Sequence, residues 1–364
     1  MEPESVPTKR SAVRPSREGG HAYRGYVRHK RLVIAAMAVI VAAVAVWSIM
    51  IGSAGLSFVD VLAAVFHVGD EYNQIVVWNL RMPRVLTALV GGIALAMAGC
   101  AFQSTLRNPL ASASTLCISQ GAAFGASVAI IVLGGGAGAY EGVQFSSNPY
   151  ATVVCAFLGA MASTLVVLGL SRMREMTPES IVLAGVALSA LFAGGTTLIQ
   201  YFAEDTQVAA VVFWTFGDLS RVSYKELVIM GTVTAASAVF FFANRWNYNA
   251  MESGEASAHG LGVNVRRVRL GGMLVAAAAA SSIIAFCGII NFVGLVAPHV
   301  MRRFIGSDYR FLLPASALAG AALLLVSDIA AHAIVAPLIL PISAITSFVG
   351  APVFLYLLFK GVSR

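Results

Sequence analysis

Long apolar runs separated by short polar breaks leave this chain few folds to choose from. The runs fall near 32–51, 85–104, 116–133, 150–170, 180–201, 226–243, 270–289, 291–304, 311–331 and 343–360. About 20 apolar residues cross the hydrocarbon core as a helix. Within lipid every backbone polar group must be satisfied inside its own segment, so the spans must be helical. Of 364 residues, 58% are hydrophobic and 11% charged, where soluble domains carry about 25% charged residues. The chain reads as an all-α polytopic membrane protein of about ten transmembrane helices. Run 32–51 exceeds the roughly 7–15 apolar residues of a cleaved signal and is taken as the first span.

The polar breaks divide by charge. On a ten-span count, the breaks sharing one side hold 20 of the 24 Lys and Arg. Eight lie within 1–31; the others are Arg107, Arg172, Arg174, Arg245, Arg266, Arg267, Arg269, Arg302, Arg303, Arg310, Lys360 and Arg364. The opposite side keeps only Arg81, Arg84, Arg221 and Lys225. Cytoplasmic loops collect Lys and Arg, which puts both termini in the cytoplasm of a cell (plasma or inner) membrane. Residues 1–31 form a basic cytoplasmic tail suited to anionic lipid headgroups, and 32–362 the transmembrane domain. Since the tail carries +5 of the net +7, the positive charge is not a nucleic-acid signal.

Catalytic chemistry finds little support. Cys100, Cys117, Cys155 and Cys287 sit in apolar segments without C-x-x-C spacing, so neither a metal site nor a disulfide framework is indicated. The six His are dispersed among different loops, and no paired carboxylates share a depth. None of the four Lys follows a Gly, which excludes a G-x-x-x-x-G-K-[ST] phosphate loop. Any nucleotide hydrolysis belongs to another chain, and no resident cofactor is expected here. Small residues, such as Gly121-x-x-x-Gly125 and Ala276–Ala280, suit close helix packing. Short helices are expected at Ser57–His67, near Val208–Phe216 and within the polar segment 244–269.

Three segments stand out. Arg81-Met82-Pro83-Arg84 opens an apolar helix that ends in Gln103…Asn108-Pro109-Leu110-Ala111. Pro83 suits a first helical turn. The two Arg oppose the side bias, either snorkelling to headgroups or offering bidentate bonds to a partner's carboxylates. Next comes Phe292-Val293-Gly294-Leu295-Val296-Ala297-Pro298-His299-Val300-Met301-Arg302, an irregular or half-length helix whose His299 is a hydrogen-bonding or a ligand residue. The last carries Asp328, His332, Leu340-Pro341-Ile342 and Gly350-Ala351-Pro352-Val353-Phe354.

In this order, over about three quarters of the chain, the segments resemble the permease subunits of ABC importers for iron–siderophores, haem and vitamin B12. The resemblance implies a type II importer permease working by alternating access. Its partners would be a second permease subunit, two cytoplasmic ATPases holding ATP and Mg, and an extracytoplasmic binding protein. It implies binding-protein docking at Arg81, Arg84 and the position of His332. It implies ATPase coupling through Glu255, Ala256, Ala258, Gly260, Leu261 and Gly262 of loop 244–269. A gate and path are implied around Thr177, Pro178, Glu179, Ser180, Asn108 and Pro109, with a wide path lined by apolar and small residues. The chain departs from the pattern where Arg is usual at His332, where Glu-Leu-Pro-Ile-Gly becomes Ile339-Leu340-Pro341-Ile342-Ser343, and where Gly and Pro become Cys117 and Ala113. A neutral His332 weakens one ion pair near neutral pH, which a heterodimeric partner's Arg would offset. The alternative reading, an ion-coupled secondary transporter, meets one acidic residue inside a run, Asp328.

Overall fold

A computed structural model describes residues 17–52, 56–134, 149–173 and 178–362, and every regular element among them is helical. Each apolar run becomes a helix. Seven are long and apolar enough to cross a membrane: α1 (Arg17–Met50), α4 (Met82–Thr105) with the helical turns before it, α6 (Pro149–Met173), α7 (Pro178–Tyr201), α9 (Tyr224–Ala243), α12 (Val265–Cys287) and α14 (Tyr309–Ala333). The other three runs fold as α5 (Ile118–Ser127), continued by a π-helical turn to Val132, α13 (Val293–Ile305) and α15 (Ile342–Val362). The 13 residues of α13 rise about 20 Å, short of the roughly 30 Å hydrocarbon core. It is the half-length helix expected around Pro298. The chain breaks from α12 into it at Gly288 and Phe292, both at positive φ (79° and 63°).

The expected surface helices are present. Ser57 caps α2 (Phe58–Val65), its hydroxyl accepting from the Asp60 amide at 3.2 Å while Asp60 takes the Ser57 amide at 3.1 Å. This reciprocal pair satisfies two otherwise orphaned donors. Helix α8 (Asp205–Thr215) begins three residues before the expected stretch. Segment 244–269 holds α10 (Arg245–Glu252) and α11 (Glu255–Gly260), parted at Gly254, whose φ of 107° suits glycine.

Pro83 lies in the first turn of α4, but that helix has no free start. α3 (Glu71–Ile75) runs through a π-helical turn, Val76–Arg81, directly into α4. A proline inside a helix has no N–H for the carbonyl four residues back and clashes with it. The widened π turn, closed by Met82 N–H to the Val77 carbonyl, absorbs that defect and sets the directions of Arg81 and Arg84.

Helix α4 is the buried axis, packed against α14, α12, α13 and α9. Glycines make this possible. A Cβ on Gly92 would lie 2.4 Å from the Gly320 carbonyl oxygen, and one on Gly320 2.3 Å from that of Gly92. Gly121 and Gly125 of α5 face Gly159 and Cys155 of α6 in the same manner, as their spacing suggested. By contrast, α1 and α7 are mostly exposed.

Candidate functional site

Beside α7 runs a crevice of about 740 Å³, also bordered by α5, α8, the α12–α13 link and the start of α15. From α7 it receives Val186, Ser189, Ala193, Thr196, Thr197 and Gln200, which recur at helical spacing on one face. Leu183, Leu191 and Leu198 occupy another face of α7, each more than 60% exposed. Opposite the α7 hydroxyls stand Ser119 and Gln120 of α5, Thr215 of α8, Asn291 and Ser343. Among the described residues no charged side chain lines the crevice. Eleven of the 18 residues lining the crevice are Ser, Thr, Asn or Gln. Within apolar runs these residues escape notice because a helix satisfies their hydroxyls locally. Ser189 donates to the Gly185 carbonyl at 2.8 Å, Thr196 to Phe192 at 2.9 Å and Thr197 to Ala193 at 3.0 Å. Each oxygen keeps lone pairs able to accept a further hydrogen bond.

Of the expected gate, Thr177 lies outside the described residues, while Pro178, Glu179 and Ser180 open α7. The described part of the expected gate and much of the crevice lining therefore share one helix. Asn108 and Pro109 do not line the crevice. Asn108 Oδ1 accepts the Leu110 amide at 2.9 Å, an Asx turn that reverses the chain after α4.

Arg81 and Arg84 are 3% and 5% exposed and turn inward. Arg81 Nη1 donates to the carbonyls of Ile49 (2.9 Å) and Met50 (3.1 Å), and Arg84 Nη2 to those of Ser48 (3.2 Å) and Ile51 (3.1 Å). The last carbonyls of a helix lack intrahelical donors and carry its negative dipole end. Both guanidiniums therefore cap α1. Arg84 Nε also lies 3.2 Å from Asp328 Oδ2, an ion-pair distance at which the N–H is not aligned for a hydrogen bond. Asp328 receives Ser48 Oγ at 3.4 Å, and its Oδ1 is 3.5 Å from His332 Nδ1, which is 2.9 Å from the Asp328 carbonyl oxygen. Neither snorkelling nor an outward guanidinium describes this arrangement. The structure brings the three residues assigned to docking into one buried cluster, with Asp328 between Arg84 and His332.

The segment 244–269 presents a tip on an ion-paired base. Ala256, Gly260, Leu261 and Gly262 are exposed, Leu261 at 72%. Ala258 is buried and anchors α11 instead. Glu255 pairs with Arg269, whose Nε donates to the Thr105 carbonyl at the end of α4 (3.0 Å). Glu252 meets Arg302 of α13 at 3.2 Å, and Asn249 bonds both Asp308 Oδ1 (3.0 Å) and the Tyr309 amide (2.8 Å). Burial works against the charge of Asp308, but hydrogen bonds from Arg310 and Asn249 hold its pKa down at about 2.

A model of the FecCD transport family matches residues 38–360. The chain belongs to the FecCD transport family. Among relatives of this FecCD protein, one of Methanocaldococcus jannaschii, named for an ABC transporter permease, is 50% identical over 319 residues, covering 88% of this chain and 91% of the relative. The hemin transport system permease protein of Yersinia pestis is 33% identical over 335 residues, covering 91% and 96%. A solved metal-chelate type ABC transporter in an inward-facing conformation superposes with a TM-score of 0.78 at 26% identity, covering 91% of this chain and 99% of that one. This FecCD protein is thus a multi-pass membrane permease component of an ABC transporter. The family resemblance also gives Cys117 a physical context. Its φ of 66° lies in the left-handed region that favours glycine, the residue the family pattern carries there.

Proposed function

We propose that this FecCD protein is the translocating subunit of an ATP-driven importer in the plasma membrane, with both termini cytoplasmic. Its cargo is an iron chelate, or a related haem- or cobalamin-type molecule, delivered by an extracytoplasmic binding protein. The uncharged, hydroxyl-lined crevice along α7 carries this reading. Such a surface gives a polar chelate weak hydrogen bonds to move along, without an ion pair to hold it. The crevice lies open along one side, and a second permease subunit would complete its wall. Two ATPase subunits, holding ATP and Mg, seat on Ala256, Gly260, Leu261 and Gly262 from below. Their closure pushes through the paired bases Glu255–Arg269 and Glu252–Arg302 onto α4 and α13, opening one end of the path while the other closes.

Docking by acidic residues of the binding protein requires Arg81 and Arg84 to exchange α1 carbonyls for carboxylates. Charge reversal at Arg84 alone would also disturb the cap on α1. A partner-side rescue separates the two roles, because Arg81→Glu restored by a Lys on the binding protein reports contact, whereas a capping role gives no rescue. A secondary carrier would need an ionisable group free to load its ion, yet Asp328 is already engaged by Arg84. The deciding experiment reconstitutes the permease with its ATPase and binding protein in liposomes and follows a labelled ferric chelate. Leu261→Glu should abolish uptake and binding-protein-stimulated ATP hydrolysis while membrane insertion stays normal. Uptake that persists without any ATPase, driven by an ion gradient, would sink the proposal.

A further inference from the structure

The basic end of α1 offers a site that the FecCD match, which begins at residue 38, leaves unassigned. Arg24, Arg28 and Arg31 recur at intervals of four and three residues, so a helix carries them on one face. All three are exposed, and with Val27, Leu32 and Ala35 they line one surface groove. None of the ion pairs among the described residues involves them. Three like charges crowded on two turns repel one another unless an anion shares them.

Lys30 fixes which way that face points. It is 1% exposed, and its Nζ lies 4.0 Å from the centroid of the Tyr26 ring and 5.1 Å from that of Phe311 on the neighbouring α14. This cation–π clasp sets the rotation of α1 against the bundle. At about 100° per residue the three Arg then lie well away from Lys30, on the outward side. The same outward face continues along the helix as Leu32, Val39 and Val46, which are 59%, 69% and 53% exposed. In a helix apolar enough to cross a membrane, such a stripe faces lipid chains. The guanidiniums follow immediately at its end, at the depth where acyl chains give way to headgroups.

We propose that Arg24, Arg28 and Arg31 bind the headgroup of an anionic phospholipid, whose chains lie along Leu32, Ala35 and Val39. Guanidinium forks match phosphate oxygens bidentately, and three of them neutralise a phosphodiester while donating to its free oxygens. The lipid belongs to the leaflet that meets the N-terminal end of α1. It would hold that end against the membrane surface, close to the Arg310–Trp246 contact that ties α14 to α10. The site is independent of the cargo and the ATPase assigned above.

The test uses the full-length chain in nanodiscs made from equal parts phosphatidylcholine and phosphatidylglycerol. Tightly held lipid is counted by native mass spectrometry after release from the disc. One basic residue at a membrane surface is worth about a fivefold preference for anionic lipid. The triple variant Arg24→Gln, Arg28→Gln, Arg31→Gln should therefore lose between about ten- and a hundredfold of its phosphatidylglycerol enrichment. Its thermal unfolding should not change, since the three side chains touch no partner in the fold. The corresponding triple Lys variant should keep most of the preference, and about 1 M KCl should weaken it in the wild type. Equal enrichment in the wild type and the triple Gln variant would overturn the proposal. So would unchanged lipid together with loss of a co-purifying ATPase subunit, which would make the face a protein contact.

Discussion

Removing one member of the Arg84–Asp328 pair tests whether the buried cluster at the end of α1 acts as one unit. At 3.2 Å and an effective dielectric near 20, the two charges attract by about 5 kcal/mol before desolvation is counted. Most of that offsets the cost of burying side chains that are 6% and 2% exposed. Asp328→Ala leaves the guanidinium buried without its counter-charge, a loss that typically costs about 3–5 kcal/mol. Arg84 keeps its bonds to the Ser48 and Ile51 carbonyls, so the lower end, about 3 kcal/mol, is expected here. Arg84→Met removes both the pair and the cap, at about 3–4 kcal/mol. In the double variant no uncompensated charge remains, and its loss should fall short of the sum by about 2 kcal/mol. Unfolding of the purified protein by SDS in mixed micelles, followed by far-UV circular dichroism, measures all four corners of the cycle. Additivity within about 0.5 kcal/mol would refute the view that these residues work as a unit.

Three further outcomes follow from local geometry. In Gly99→Ala the new Cβ would meet the Gly294 carbonyl oxygen at 1.7 Å, so α4 and α13 must part; a loss above about 3 kcal/mol or failure to accumulate in the membrane is expected. At Cys117 the left-handed backbone makes Gly tolerable, within about 1 kcal/mol of wild type, whereas Val should cost more than about 2 kcal/mol in the same titration. Asp308, whose pKa falls from 3.8 to about 2 on folding, stabilises the joint between α10 and α14 in full above pH 4 and loses that effect as pH drops towards 2. Asp308→Asn should flatten this acid limb and remove about 1–2 kcal/mol near neutral pH, as read from unfolding at several pH values.

How far the chain announces itself depends on which forces leave a trace in residue type. Apolar runs located the ten helices that fall within them, because lipid permits no other way to satisfy the backbone, but gave no sign of α3. The short helices expected at Ser57–His67, near Val208–Phe216 and within 244–269 were legible as well. Crossing length was less legible: α13 falls short because Gly288 and Phe292 adopt positive φ, and the phenylalanine gives no hint of this. The crevice was missed since Ser189, Thr196 and Thr197 bond to their own helix and read as part of an apolar run. A count of hydroxyl and amide residues at i, i+7 and i+11 from Ser189 would have found it. Arg81 and Arg84 were recognisable as unusual charges, but their inward turn depends on the π turn before Pro83 and on carbonyls some thirty residues earlier. Ala258 read as one of several coupling residues, yet only burial separates it from exposed Ala256 and Leu261.

These contacts also divide the bundle into a stiff part and a loosely held one. Helices α4 and α14 run antiparallel, in contact through Gly92 and Gly320, and they are tied at both ends. At one end Arg84 of α4 meets Asp328 of α14. At the other, Arg269 reaches the Thr105 carbonyl of α4 while Asn249 holds the amide of Tyr309 at the start of α14. Sliding α4 against α14 would break the buried Arg84–Asp328 pair and the Gly92–Gly320 contact. Helix α7 is mostly exposed. It rests on α5 through the Phe124–Phe192 ring contact and close approaches at Gly185 and Gly195, with most of its surface outside the chain's own core. The helix that bears much of the crevice lining thus has most of its surface outside the chain's own core. Displacing α7 against α4 and α14 would alter the crevice while leaving the contacts of α10 and α11 intact, the division of labour that the proposed alternating access requires.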